Sequence, residues 1–98
     1  MTKRTQAVAT VQVDNSDVIV TEWRFAPGSE TGAHHHGYDY VVVPMTAGTL
    51  LLETPEGDKH ASLVAGQAYF RKAGVEHNVV NASEHEVVFV ETEIKAAQ

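Results

Sequence analysis

The sequence predicts an all-β fold, one antiparallel β-barrel or sandwich with little or no helix. Three observations predict it. Apolar and polar residues alternate with period two almost from residue 8 to residue 94, the spacing that turns one side of a strand toward a core. Gly, Pro, Asn and Asp interrupt that alternation at intervals of roughly 8 to 12 residues, the rhythm of strands joined by tight turns. No window of helical length repeats its apolar residues at the period of about 3.6 that an amphipathic helix needs.

Taken in order, residues 8–13 read as a first strand and Asp14-Asn15-Ser16-Asp17 as a turn. Residues 18–25 form a second strand with Val18, Val20 and Glu22 on one face and Ile19, Thr21 and Trp23 on the other; Ala26-Pro27-Gly28 breaks it. Residues 34–43 make the next extended run, and 49–54 the one after. Pro55-Glu56-Gly57-Asp58 supplies a hairpin with Pro at the second turn position, from which 59–64 returns. Ala65-Gly66 turns the chain into 67–72, Ala73-Gly74 turns it into 76–81, and Asn81-Ala82-Ser83-Glu84 leads to a last strand over 85–94.

Ninety-eight residues make a single domain over 1–98, with no internal repeat and no low-complexity segment. A chain this short buries only about 60 to 70% of its unfolded surface, so further burial between copies is favoured. A homodimer is the expectation, lined by the first strand or by residues 87–90. Seven Lys and Arg against thirteen Asp and Glu give a charge of −6 at pH 7, which disfavours nucleic acid as a partner. No stretch reaches the roughly 20 apolar residues of a membrane span, and the start of the chain has no apolar run of signal-peptide length; a soluble cytoplasmic protein is expected. Cysteine is absent, so thiolate metal sites and disulfides are excluded and metal chemistry must run through imidazole and oxygen.

The histidines are the chemical signal. There are six, three of them consecutive as His34-His35-His36. Alternation along a strand puts His34 and His36 on one side and His35 on the other, so two imidazoles can share an ion such as zinc, iron, copper or nickel. His60 and His85 read as ordinary surface or hydrogen-bonding residues. Two imidazoles do not make a site, and a third ligand is required.

Gly28 is followed after five residues by His34, then by His36, and Gly48 closes the run; later, Gly66, Gly74, His77 and Asn81 stand at a second set of spacings, with Lys72 in place of a proline. These positions resemble the two motifs of the cupin family. The segments from Thr21 to Gly28, from His36 to Pro44 and from Gly74 to Asn81 are further similar to a narrower group of small cupins, the β-alanine degradation proteins. The resemblance implies a jelly-roll-like cupin barrel with motifs inside 28–81, and a divalent metal ion held by His34, His36 and His77. It also implies a glutamate ligand, and here the chain departs from the pattern. Tyr40 or Val41 occupies that position, depending on the spacing counted, and Asp39 falls one residue early. A three-histidine centre is therefore expected. On an unbroken strand Tyr38, Tyr40 and Val42 would share the parity of the two histidines, so Tyr40 would face the metal as a catalytic hydrogen-bond donor and Asp39 would point away.

Gly28, Gly48, Gly66 and Gly74 read as turn residues with positive φ, Asn81 as a turn cap, and Trp23, Phe25, Tyr69 and Phe70 as wall or interface residues rather than substrate contacts. One divalent ion per chain is expected, iron(II) first, with zinc, manganese or nickel as alternatives. Three neutral imidazoles leave positions open to water, dioxygen or a substrate, the pattern of a catalytic site. The expected function is a metal-dependent enzyme, dioxygenase-like or isomerase-like, acting on a small anionic metabolite; the alternative is a non-catalytic ligand-binding or regulatory module.

Overall fold

A computed structural model describes residues 4–95. Nine strands follow one another, and no helix occurs among the described residues: β1 (Val8–Asp14), β2 (Val18–Phe25), β3 (His34–His35), β4 (Asp39–Pro44), β5 (Gly48–Thr54), β6 (Gly57–Leu63), β7 (Tyr69–Arg71), β8 (Glu76–Asn81) and β9 (Val87–Ile94). They form a five-stranded sheet in the order β1-β2-β9-β4-β7 and a four-stranded sheet in the order β3-β8-β5-β6. Every ladder is antiparallel. The fold is the all-β one expected, built as two facing sheets rather than a closed barrel. Closure would need a ladder between the sheets; among the described residues there is none, and only isolated bridges from Glu30 to Gln6 and to Val80 run between them.

The core lies between the sheets. Phe25, Tyr40, Val42, Val87 and Phe89 reach in from the larger sheet and meet Leu50, Leu63 and Val79 of the smaller. Alternation decides which residues take part: in β4 the even positions Tyr40, Val42 and Pro44 are buried while Asp39, Val41 and Val43 are partly open. The β5–β6 hairpin pairs Thr54 with Gly57 across a two-residue loop, Pro55-Glu56, in the turn position expected of Pro55.

Two expectations change. The run 34–43 is not one strand: β3 belongs to the smaller sheet and β4 to the larger, and the chain crosses between them at residues 36–38. The crossing is pinned where the His36 N–H donates to the Val75 carbonyl (2.9 Å) and the His36 carbonyl accepts from the Gly74 N–H (2.8 Å). Tyr38 accordingly loses the inward parity and is 39% exposed. Gly48 is the second change. Gly28, Gly66 and Gly74 have the positive φ expected of turns, but Gly48 does not. A Cβ there would stand 2.6 Å from Val87 Cγ2, so close packing of β5 against Val87 requires this glycine.

Candidate metal centre

β3 and β8 are neighbours with His34 directly opposite His77. Residues opposite each other in an antiparallel pair share a face, so both imidazoles leave the sheet on the inner side. His36 leaves β3 at the start of the crossing and is buried, with 5% of its surface exposed. The three rings converge. His36 Nε2 lies 3.0 Å from His34 Nε2 and 3.0 Å from His77 Nε2, and the rings meet edge to face. His35 points out to solvent, as its parity requires.

The tautomer of His34 is set by its surroundings. Its Nδ1 lies 2.8 Å from the Gly32 carbonyl oxygen, which can only accept; Nδ1 therefore carries a proton, and Nε2 is the nitrogen left to bind a metal. Asn78 Oδ1 holds that loop by accepting the Gly32 N–H at 2.9 Å. Burial, reinforced by the charges of His34, His77 and His35, pushes His36 down to about 4. Burial and then His34 push His77 down to about 4. Convergent imidazoles are a donor set that a divalent transition ion prefers, and the three side chains could hold one.

The other sequence-derived candidates fall into place around this triad. Tyr40 is buried and its ring stacks on His36 at 4.0 Å between centroids. Burial first, then Glu91 and Tyr69, push its phenol up to about 12, so the hydroxyl stays protonated at neutral pH and can donate. Asp39 faces away: its carboxylate accepts the Ala73 N–H at 2.7 Å and lies 3.7 Å from Lys72 Nζ. His85 Nε2 lies 2.9 Å from the Ala47 carbonyl oxygen, a structural contact, and Asn81 ties the end of β8 to the residues around it.

A cavity of about 410 Å³ opens from the triad, lined by His34, His77 and Tyr40 together with residues that sequence reasoning had set aside. Trp23 and Tyr69, expected only as wall residues, line it. The exposed Lys59, His60 and Arg71 also line it, and the Arg71 guanidinium sits 4.5 Å above the Tyr69 ring centroid. Glu91 and Glu93 were missed altogether. Each has a carboxylate oxygen within 4.8 Å of a His36 ring nitrogen. Burial, then the neighbouring Glu93, raise Glu91 to about 7, with the Trp23 side chain pulling the other way; burial also raises Glu93. They share parity with Val87 and Phe89, the residues of the same strand that pack into the core cluster.

Comparison with known proteins identifies the family. Residues 21–93 match the cupin domain family. The chain is 83% identical over 95 residues to the β-alanine degradation protein BauB of Pseudomonas aeruginosa, covering 97% of this chain and 100% of that one. A crystal structure of a cupin domain from Bordetella pertussis superposes with a TM-score of 0.96 at 62% identity, over 98% of this chain and 100% of that one. The polyketide cyclase RemF from Streptomyces resistomycificus shares the fold alone, with a TM-score of 0.72 at 17% identity over 97% of this chain and 71% of its own. With its two-sheet fold, its paired histidine motifs and this family match over most of its length, the chain belongs to the cupin family.

Proposed function

We propose that this cupin is a metal-dependent enzyme acting on a small carboxylate metabolite, with one divalent ion held by His34, His36 and His77. The observation that carries the reading is the convergence of three Nε2 atoms, with His34 and His77 on the wall of a cavity. Iron(II) is the preferred ion, before zinc, manganese or nickel; iron would supply dioxygen activation, and the others Lewis acidity. The chain's own residues supply the rest. Arg71 and Lys59 offer positive charge to a carboxylate, Tyr69 holds the guanidinium in place by stacking, and the Tyr40 hydroxyl can donate a hydrogen bond to substrate. A cavity of about 410 Å³ suits a small molecule. The high identity to a β-alanine degradation protein supports a substrate from the breakdown of that amino acid, which carries a carboxylate.

Metal analysis of untagged protein prepared without oxygen tests the site. One divalent ion per chain is expected in the wild type, none after His77→Ala, and an unchanged content after Asp39→Asn. Retention of the ion by His77→Ala would overturn the assignment. Oxygen uptake by the iron-loaded protein with short-chain carboxylates then separates an oxygenase from an isomerase, and binding without turnover would identify a ligand-binding module instead.

A further inference from the structure

The cavity beside the triad carries charge of both signs, and the strand register holds the two apart. β4 runs between β7 and β9, with Tyr69 opposite Val42 on one side and Glu91 opposite Val42 on the other. Opposed residues share a face and Val42 is buried on the inner one, so Tyr69, Val42 and Glu91 form one row across the interior. Arg71 stands one inward-facing pair along from Tyr69, opposite Tyr40. Its guanidinium folds back over the Tyr69 ring, 4.5 Å above the centroid, and Nη1 donates to the Phe70 carbonyl at 2.9 Å. Neighbouring strands lie about 4.8 Å apart, so the strands that carry the cation and the acid are roughly 10 Å apart across β4.

Arg71 and Glu91 both line the cavity, yet they do not neutralise each other. Among the described residues every ion pair involves other side chains, and the same holds for Lys59, which lines the cavity beside them. The charges are also sorted by depth. Lys59 and Arg71 are exposed, whereas Glu91 and Trp23, on the same wall, are half-buried. A carboxylate withdrawn from water without a cation is costly, and an aromatic face near it is a second attraction for a positive group. A ligand with only a carboxylate would satisfy Arg71 and Lys59 but set its own charge against Glu91. One with only an amine would satisfy Glu91 and leave the guanidinium unmatched.

We propose that the cavity selects a short ω-amino acid bound as a zwitterion, its carboxylate on Arg71 and Lys59 and its ammonium on Glu91 and the face of Trp23. The inference rests on the small-carboxylate reading above and narrows it to substrates that keep an amino group at the far end of the chain. The carbon chain between the charged ends would lie over Val42, on the cavity wall. An α-amino acid, whose two charged groups share one carbon, cannot reach both sides of β4. Discrimination against plain acids comes from repulsion at Glu91 as much as from attraction of the ammonium.

The single tryptophan of the chain, Trp23, stands on the cavity wall, so its fluorescence reports occupancy. Full-length protein supplied with Zn²⁺, which avoids dioxygen chemistry, is titrated with β-alanine and γ-aminobutyrate, and in parallel with propanoate, butanoate and α-alanine; calorimetry gives the affinities independently. Wild type should bind the ω-amino acids at least about tenfold more tightly than the plain acids or α-alanine. Glu91→Gln should erase that preference by weakening the ω-amino acids while holding the plain acids as tightly as wild type or more so. Arg71→Gln should weaken both classes. Equal affinity of wild type for amino and plain acids, or a preference that survives in Glu91→Gln, would overturn the zwitterion site while leaving the small-carboxylate reading in place. Failure of every one of these carboxylates to bind wild type would overturn that reading and this inference with it.

Discussion

Burial of His36 and His77 beside His34 keeps their lone pairs free over the whole neutral range, because in the fold both titrate near 4 instead of 6.5. Between those values the unfolded chain binds the extra protons, so this part of the metal-free protein's stability is present above pH 6.5 and lost as pH falls toward 4. Glu91 works in the opposite direction. Its folded value is raised from 4.5 to about 7, so the fold holds the extra proton and stability is lost as pH rises through that window. The groups that face it are Glu93 on its own strand, His36 across the interior, and Tyr40, Tyr69 and Arg71 on neighbouring strands. Metal-free Glu91→Gln should therefore exceed wild type by about 2 kcal/mol near pH 8, with the advantage fading below about pH 5. Urea denaturation at both pH values measures it; an advantage that is the same at both would refute the assignment. At this scale the histidine triad, the inward Tyr40 and the outward Asp39 were legible from spacing and motif. The acids of β9 were not, since an apolar strand with acidic ends reads as a strand emerging into solvent, and only the partner strands show that its inner face stays covered.

Strand boundaries matched at both ends in β2 and β8 and moved by one or two residues elsewhere, and the expectation failed outright only where the chain changes sheets. β2 and β8 run as the pattern predicts, while the stretch from His34 to Val43 keeps its alternation through a crossing that composition does not mark. β9 begins two residues later than expected because residues 82–86 are occupied in a turn organised by Asn81. That side chain is 1% exposed; its Nδ2 donates to the carbonyls of Phe25 (3.2 Å) and His85 (2.8 Å), and its Oδ1 accepts the Ser83 N–H at 2.8 Å. One amide thus joins the end of β2, the end of β8 and the entry to β9. Asn81→Ala would leave one buried and two partly buried backbone groups without this partner, and a loss of about 2 kcal/mol is expected. Chemical denaturation measures it; a loss under about 0.5 kcal/mol, the size of an ordinary surface substitution, would contradict the role.

The molecule as a whole leaves one strand without cover. The all-β class and the two-motif architecture could be read from the sequence, but the open edges could not, because closure depends on pairings between distant strands. Among the described residues β1 pairs only with β2, and all seven of its residues are exposed. Val8, Val11 and Val13 are 59%, 58% and 42% exposed, an unusual cost for a monomer with a small core. The strand carries none of the usual protection of a free edge: no proline, no lysine, and a single acid at its last position, although the register slips between Val11 and Val13. Pairing of β1 with its two-fold mate would satisfy the free backbone groups and shield part of this apolar edge in a closed, symmetric assembly that does not propagate. A homodimer is accordingly expected at micromolar concentration by light scattering. Val11→Lys should shift it toward monomer while leaving the metal content unchanged, since β1 lies at the far edge of the larger sheet from β4, with β2 and β9 between. A monomeric wild type would refute the dimer, and a dimer undisturbed by Val11→Lys would move the interface to another edge.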